Sequence, residues 1–74
     1  MFPSEKISRI VANLPKSPGC YLYKNVRDEI IYIGKAKNLS NRVHSYFVDP
    51  DRLDAKIARL VPQIADLEFI ITDS

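Results

Sequence analysis

Residues 19–47 read GCYLYKNVRDEIIYIGKAKNLSNRVHSYF, and the fold turns on how this stretch is divided. Residues 20–24 and 29–34 are rich in β-branched and aromatic side chains and flank Asn25-Val26-Arg27-Asp28, the pattern of an antiparallel hairpin. A four-residue loop pairs Lys24 with Glu29 and sets Tyr21 opposite Tyr32. Side chains alternate along a strand, so Tyr21, Tyr23, Ile30 and Tyr32 then share one face. Cys20, Leu22, Ile31 and Ile33 take the other face, which is expected to meet a helix-covered core. Gly34-Lys35-Ala36-Lys37-Asn38 reads as a loop, with Asn38 as the N-cap of a helix. On that helix Leu39, Val43 and Phe47 form the buried stripe. Arg42 and Tyr46, four apart, flank it and look across at the tyrosines. Tyr21, Tyr32, Lys35 and Arg42 are therefore expected on one surface.

Upstream, Ile7, Ile10, Val11 and Leu14 recur with helical spacing between a capping Ser4 and a terminating Pro15, which predicts a helix lying as a lid over the core. Downstream, a helix is expected from Asp51 or Arg52, with Leu53, Ile57, Leu60, Val61 and Ile64 inward. Pro62 ends or kinks it near Val61. Residues 67–72, LEFIIT, read as a third strand buried on its Leu67, Phe69 and Ile71 face. The whole is an α+β fold, a small three-stranded antiparallel sheet flanked by helices, in one domain spanning residues 1–74 that is expected to be C-terminally incomplete, cut before its last helix.

At 74 residues the chain has room for one core and no second domain. Hydrophobic residues make up 46% and charged residues 27%, too apolar for a disordered chain. The longest unbroken aliphatic and aromatic run, residues 30–33, falls far short of the ~20 residues that span a membrane. One cysteine, Cys20, leaves no internal disulfide partner, and with a single histidine it makes no zinc site. A reducing, cytoplasmic setting and no membrane partner are expected. The net charge of +2 is unevenly spread. Residues 6–48 carry eight Lys or Arg against Asp28 and Glu29, whereas residues 49–74 carry three basic and six acidic groups. One basic face suits a polyanion such as nucleic acid. Taken singly, paired strand tyrosines are more often packing than catalysis.

In combination these residues carry a resemblance. GCY, ten residues, YIG and then KAKNLSNRVHSYF is similar to the GIY-YIG nucleases, and LPKSPGCY with YIGKAKNLSNRVHSYF resembles most the N-terminal domains of the UvrC group of nucleotide-excision-repair proteins. Cys20 stands where the first triad usually has an aliphatic residue. The resemblance implies a divalent-metal-dependent DNA endonuclease incising on the 3′ side of a lesion, acting on damaged double-stranded DNA with UvrB, the damage-loading component of the excinuclease. It implies catalytic roles for Tyr21, Tyr32, Lys35, Arg42 and Tyr46, with Tyr32 the general base and Arg42 stabilising the phosphoryl transition state. It also implies DNA contacts from Lys35, Lys37, Arg42 and Lys56, and a backbone approach allowed by Gly34. The metal, Mg2+ or Mn2+, is held in the family by a glutamate on a helix after the third strand. Glu68 and Asp73 do not match that position, so the ligand is expected beyond residue 74, and the piece is expected to bind metal weakly and cut poorly. The alternatives are a non-catalytic DNA-binding module and a related GIY-YIG nuclease with a different DNA substrate.

Overall fold

The computed structural model describes residues 4–47 and 54–72. Helix α1 (Glu5–Ala12) begins where the Ser4 hydroxyl accepts the Ile7 amide and presents Ile7 and Val11 to the core. Strands β1 (Gly19–Lys24) and β2 (Ile30–Ala36) form the hairpin, and α2 (Leu39–Ser45) follows, capped by Asn38 as expected. Next comes α3 (Ala55–Leu60), capped by Asp54. The expected helix start at Asp51 or Arg52, and Leu53 of its stripe, lie outside the described residues. A 3-10 turn over Val61–Gln63 ends this helix at Pro62, near Val61 as predicted, and β3 (Asp66–Ile71) closes the fold. The sheet order is β2-β1-β3, antiparallel throughout, with β1 central.

The hairpin register differs from the expected one by two residues. Asn25 and Glu29 close a shorter loop: the Asn25 amide donates to the Glu29 carbonyl at 3.0 Å, and the Asn25 side-chain oxygen accepts the Arg27 and Glu29 amides. Asp28 takes a left-handed φ of 64° to complete it. Lys24 therefore pairs with Ile30 rather than Glu29, and that shift alone would send Tyr21 and Tyr32 to opposite faces. A bulge between Tyr23 and Lys24 restores the parity, so Tyr23 faces Tyr32 and Tyr21 faces Gly34. Tyr21 and Tyr32 keep a common face as diagonal neighbours. Lys35 and Ala36, expected in a loop, belong to the strand.

The covered face is also the reverse of the expected one. Tyr21, Tyr23, Leu39, Val43, Tyr46, Phe47, Ile7 and Val11 are buried together, while Ile33 is 60% exposed. Cys20 and Leu22 are half-buried on the open side, and Ile31 packs against the core through the bulge. Connectivity decides this. The Leu39 and Ser40 amides donate to the carbonyls of Ser17 and Pro15, tying the start of α2 to the segment that leads α1 into β1, so both helices cover the same face. In β3 only Leu67 of the expected inward set is buried; Phe69 and Ile71 lie 38% and 57% exposed. They sit opposite Tyr21 and Gly19 across the β1–β3 ladder.

The Tyr23 hydroxyl is buried with no hydrogen-bond partner among the described residues. An unpaired buried hydroxyl costs ~1–3 kcal/mol. Tyr23→Phe keeps the ring and removes that cost, so thermal denaturation is expected to show a melting temperature raised by several degrees, as small domains gain about 4–8 °C per kcal/mol. A lower melting temperature would show that the hydroxyl is satisfied in solution.

Candidate active site

All of the chain's tyrosines meet on the covered face. The Tyr21 and Tyr46 hydroxyls hydrogen-bond at 2.7 Å. Their rings pack edge to face at 5.8 Å, and Tyr32 lies 6.3 Å from Tyr21 and 6.0 Å from Tyr46. Tyr23 touches each of the others, at 5.4 Å from Tyr21, 6.1 Å from Tyr32 and 5.2 Å from Tyr46. Strand alternation brings in Tyr21, Tyr23 and Tyr32, and the helical position of Tyr46 beside the buried Val43 brings in the fourth ring. Tyr21, Tyr23 and Tyr46 are buried, and Tyr32 is half-exposed at the rim. Tyr23 received no role from sequence reasoning, although the period-2 pattern already set it beside Tyr21.

Burial pushes the Tyr46 hydroxyl far above the ordinary phenol range, and its hydrogen bonds with Tyr21 and Tyr32 push it further. Burial likewise raises Tyr23, reinforced by Tyr46 and Tyr21 and opposed by Arg42. Both groups are held neutral in the fold more firmly than in the unfolded chain, where a phenol titrates at about 10. Their contribution to stability is fully present below that pH and is lost as pH rises above it. Melting temperatures are thus expected to fall as pH is raised beyond about 10, with a smaller fall in Tyr23→Phe; equal falls in both proteins would remove Tyr23 from this account.

Arg42 is exposed on α2 with its guanidinium carbon 5.6 Å from the Tyr46 ring centroid. The Tyr21 hydroxyl beside it, and then Tyr46 and Tyr32, hold it charged. Gly34 faces Tyr21 across the hairpin, and a Cβ there would meet the Tyr21 ring carbons and hydroxyl. Its lack of a side chain therefore serves the neighbouring phenol. Lys35 does not join the cluster. It pairs with Cys20 in the ladder, is exposed, and borders a shallow groove with Cys20, Lys37 and Thr72. Lys56 lies exposed on α3, lining a different groove that includes Tyr32.

The metal expectation is tested by the carboxylates. Among the described residues no three His, Cys, Asp or Glu side chains gather into a site that could hold an ion. Glu68 pairs with Leu22 in the ladder, and its carboxylate ion-pairs with Lys24, whose ammonium also lies 3.5 Å from Asp28. Asp73 lies outside the described residues. These residues by themselves do not fit a divalent-cation centre.

Comparison with known proteins identifies the pattern. The UvrC-like GIY-YIG domain matches residues 17–74. The UvrABC system protein C of Dehalococcoides mccartyi is 53% identical over 72 residues, covering 97% of this chain and 12% of that protein. That of Chlorobium phaeobacteroides is 58% identical over 64 residues, covering 86% of this chain and 10% of that protein. The chain thus spans about a tenth of the length of these relatives. The crystal structure of the GIY-YIG N-terminal endonuclease domain of UvrC from Thermotoga maritima, bound to its catalytic magnesium, superposes with a TM-score of 0.80 at 39% identity. That match covers 93% of this chain and 73% of the other.

Proposed function

This chain belongs to the UvrC-like GIY-YIG domain family, and on that premise we propose that it is a DNA endonuclease domain of nucleotide excision repair, incising a phosphodiester on the 3′ side of a lesion. The observation that carries the reading is the hydrogen-bonded Tyr21–Tyr46 pair with Tyr32 and Arg42 at its rim. Tyr32, acting as the phenolate, takes a proton from the attacking water as the new P–O bond forms and the scissile P–O bond breaks, and the leaving alkoxide takes a proton from solvent. A phenol is a weak base at neutral pH, so this transfer needs a cation facing the ring, and Arg42 is the cation that faces the cluster. The same guanidinium stabilises the negative charge that grows on the phosphoryl oxygens. Tyr21 and Tyr46, locked by their mutual hydrogen bond, orient the water or the phosphate. Lys35, Lys37 and Lys56 give the backbone additional charge, Lys35 from the open side of the sheet.

A divalent cation, Mg2+ or Mn2+, belongs to the proposal by family, with its carboxylate ligand outside the described residues. The whole protein would act on damaged duplex DNA with UvrB in the cytoplasm, where Cys20 remains a free thiol. The test is nicking of lesion-bearing duplex by the longer protein with its partner proteins. Chelation of divalent ions is expected to abolish nicking and added Mg2+ to restore it; undiminished nicking in chelator would overturn the metal requirement.

A further inference from the structure

Tyr32 also lines a groove from which the catalytic reading takes only Lys56, as a charge for the DNA backbone. Between β2 and α3 lies an open volume of about 460 Å3, with Ile31, Ile57 and Leu60 as its apolar walls and Lys56 and Arg59 beside them. That volume is within the ~300–1,000 Å3 of small-molecule sites. Ile57 and Leu60, three apart on a short helix, turn toward the sheet, yet no residue of α3 is fully buried. Among the described residues no carboxylate lines the groove, and none pairs with Lys56 or Arg59. Apolar walls beside two unneutralised cations suit an occupant with a flat apolar part and an anionic part. A nucleotide has both, in its base and its phosphates. A base paired within a duplex shows only its edges, so a base that enters must be out of the stack. The groove's one side-chain amide, on Gln63, donates from Nε2 to the Arg59 carbonyl at 3.0 Å and keeps its second N–H and its oxygen.

We propose that this groove takes one unpaired nucleotide of the DNA strand to be cut. The base rests against Tyr32 and the Ile31, Ile57 and Leu60 walls, and the flanking phosphates lie on Lys56 and Arg59. The assignment rests on the nuclease reading for the strand it serves, and it adds that the strand must be locally unpaired beside the phosphodiester at Tyr32.

The test uses fluorescence anisotropy with three labelled probes of one sequence: a paired duplex, the same duplex with one unpaired nucleotide, and the single strand. Base stacking predicts binding of the unpaired probes ~5–100-fold tighter than the paired duplex. Lys56→Glu with Arg59→Glu, both at exposed positions, is expected to abolish that preference and lower the salt slope of log K by about 2. A 2-aminopurine at the unpaired position should change its emission on binding to the parent and not to the double variant. Equal affinity for paired and unpaired probes, or a preference that survives the double charge reversal, overturns the groove. Nicking that still depends on Tyr32 beside such a result leaves the catalytic reading intact. A preference retained in a protein whose nicking ignores Tyr32 overturns that reading alone.

Discussion

Tyr32→Phe in the longer protein is expected to lower DNA nicking by ~10²–10⁴-fold, the usual worth of a positioned general base, without loss of fold. Tyr32 is the ring at the rim of the cluster, half-exposed where Tyr21, Tyr23 and Tyr46 are buried. It is therefore the phenol most open to water and phosphate. The substitution keeps the ring that stacks on Tyr23 at 6.1 Å, so ring packing is preserved while the proton acceptor and its hydrogen bond with Tyr46 are removed. Circular dichroism should match the parent, and the melting temperature should fall by no more than the loss of one hydrogen bond, ~0.5–1.5 kcal/mol, allows. Arg42→Ala is expected to cost ~10²–10³-fold by removing the charge that stabilises the phosphoryl oxygens. It should also weaken DNA binding and its salt dependence, which Tyr32→Phe should not. A Tyr32→Phe protein that nicks as fast as the parent would remove the base assignment, whatever Arg42 does.

Gly34→Ala is expected to damage stability and activity together. The new Cβ would enter the space of the Tyr21 phenol, which is 1% exposed and hydrogen-bonded to Tyr46. The ring is buried and tied to Tyr46, so either the hairpin opens or the hydroxyl pair breaks. Overpacking of this kind costs ~1–3 kcal/mol, and a broken buried hydrogen bond adds ~1–3 kcal/mol. For a domain of this size, a melting temperature lowered by roughly 10 °C or more follows. Shortening the obstacle gives the decisive control: Gly34→Ala with Tyr21→Leu should regain part of the lost stability, a coupling that contacting residues show, and should not regain nicking. If Gly34→Ala melts with the parent, the glycine is not there for Tyr21.

Much of the architecture was legible because short-range chemistry fixes it. Ser4 and Asn38 cap helices since each offers a side-chain oxygen to an orphan amide, and both bonds form. Pro62 ends α3 because it lacks an amide hydrogen. The stripe of Leu39, Val43 and Phe47 is buried as its period requires. Tyr21 and Tyr32 share a face as expected, although a bulge and not the expected register puts them there. The family resemblance rested on those same residues.

What alternation could not choose was which face of β1 the helices cover. In Gly19–Lys24 one face offers Cys20 and Leu22 and the other Tyr21 and Tyr23, and both are apolar enough to bury. The choice came from the loop tying α2 to the segment before β1, a contact between residues more than twenty positions apart. The register was equally out of reach. It depends on the Asn25–Glu29 closure, the left-handed Asp28 and a compensating bulge, each of which shifts the count by a residue or absorbs the shift. Lys35 was misplaced for the same reason, since its side follows from where the strand ends. Residues 19–47 by themselves determined the helix and strand types, the caps and the set of rings. Only the tertiary structure decided which rings are buried, that Tyr32 stands at the rim, and that Gly34 is kept bare for Tyr21, because burial and close approach arise from contacts that no local pattern encodes.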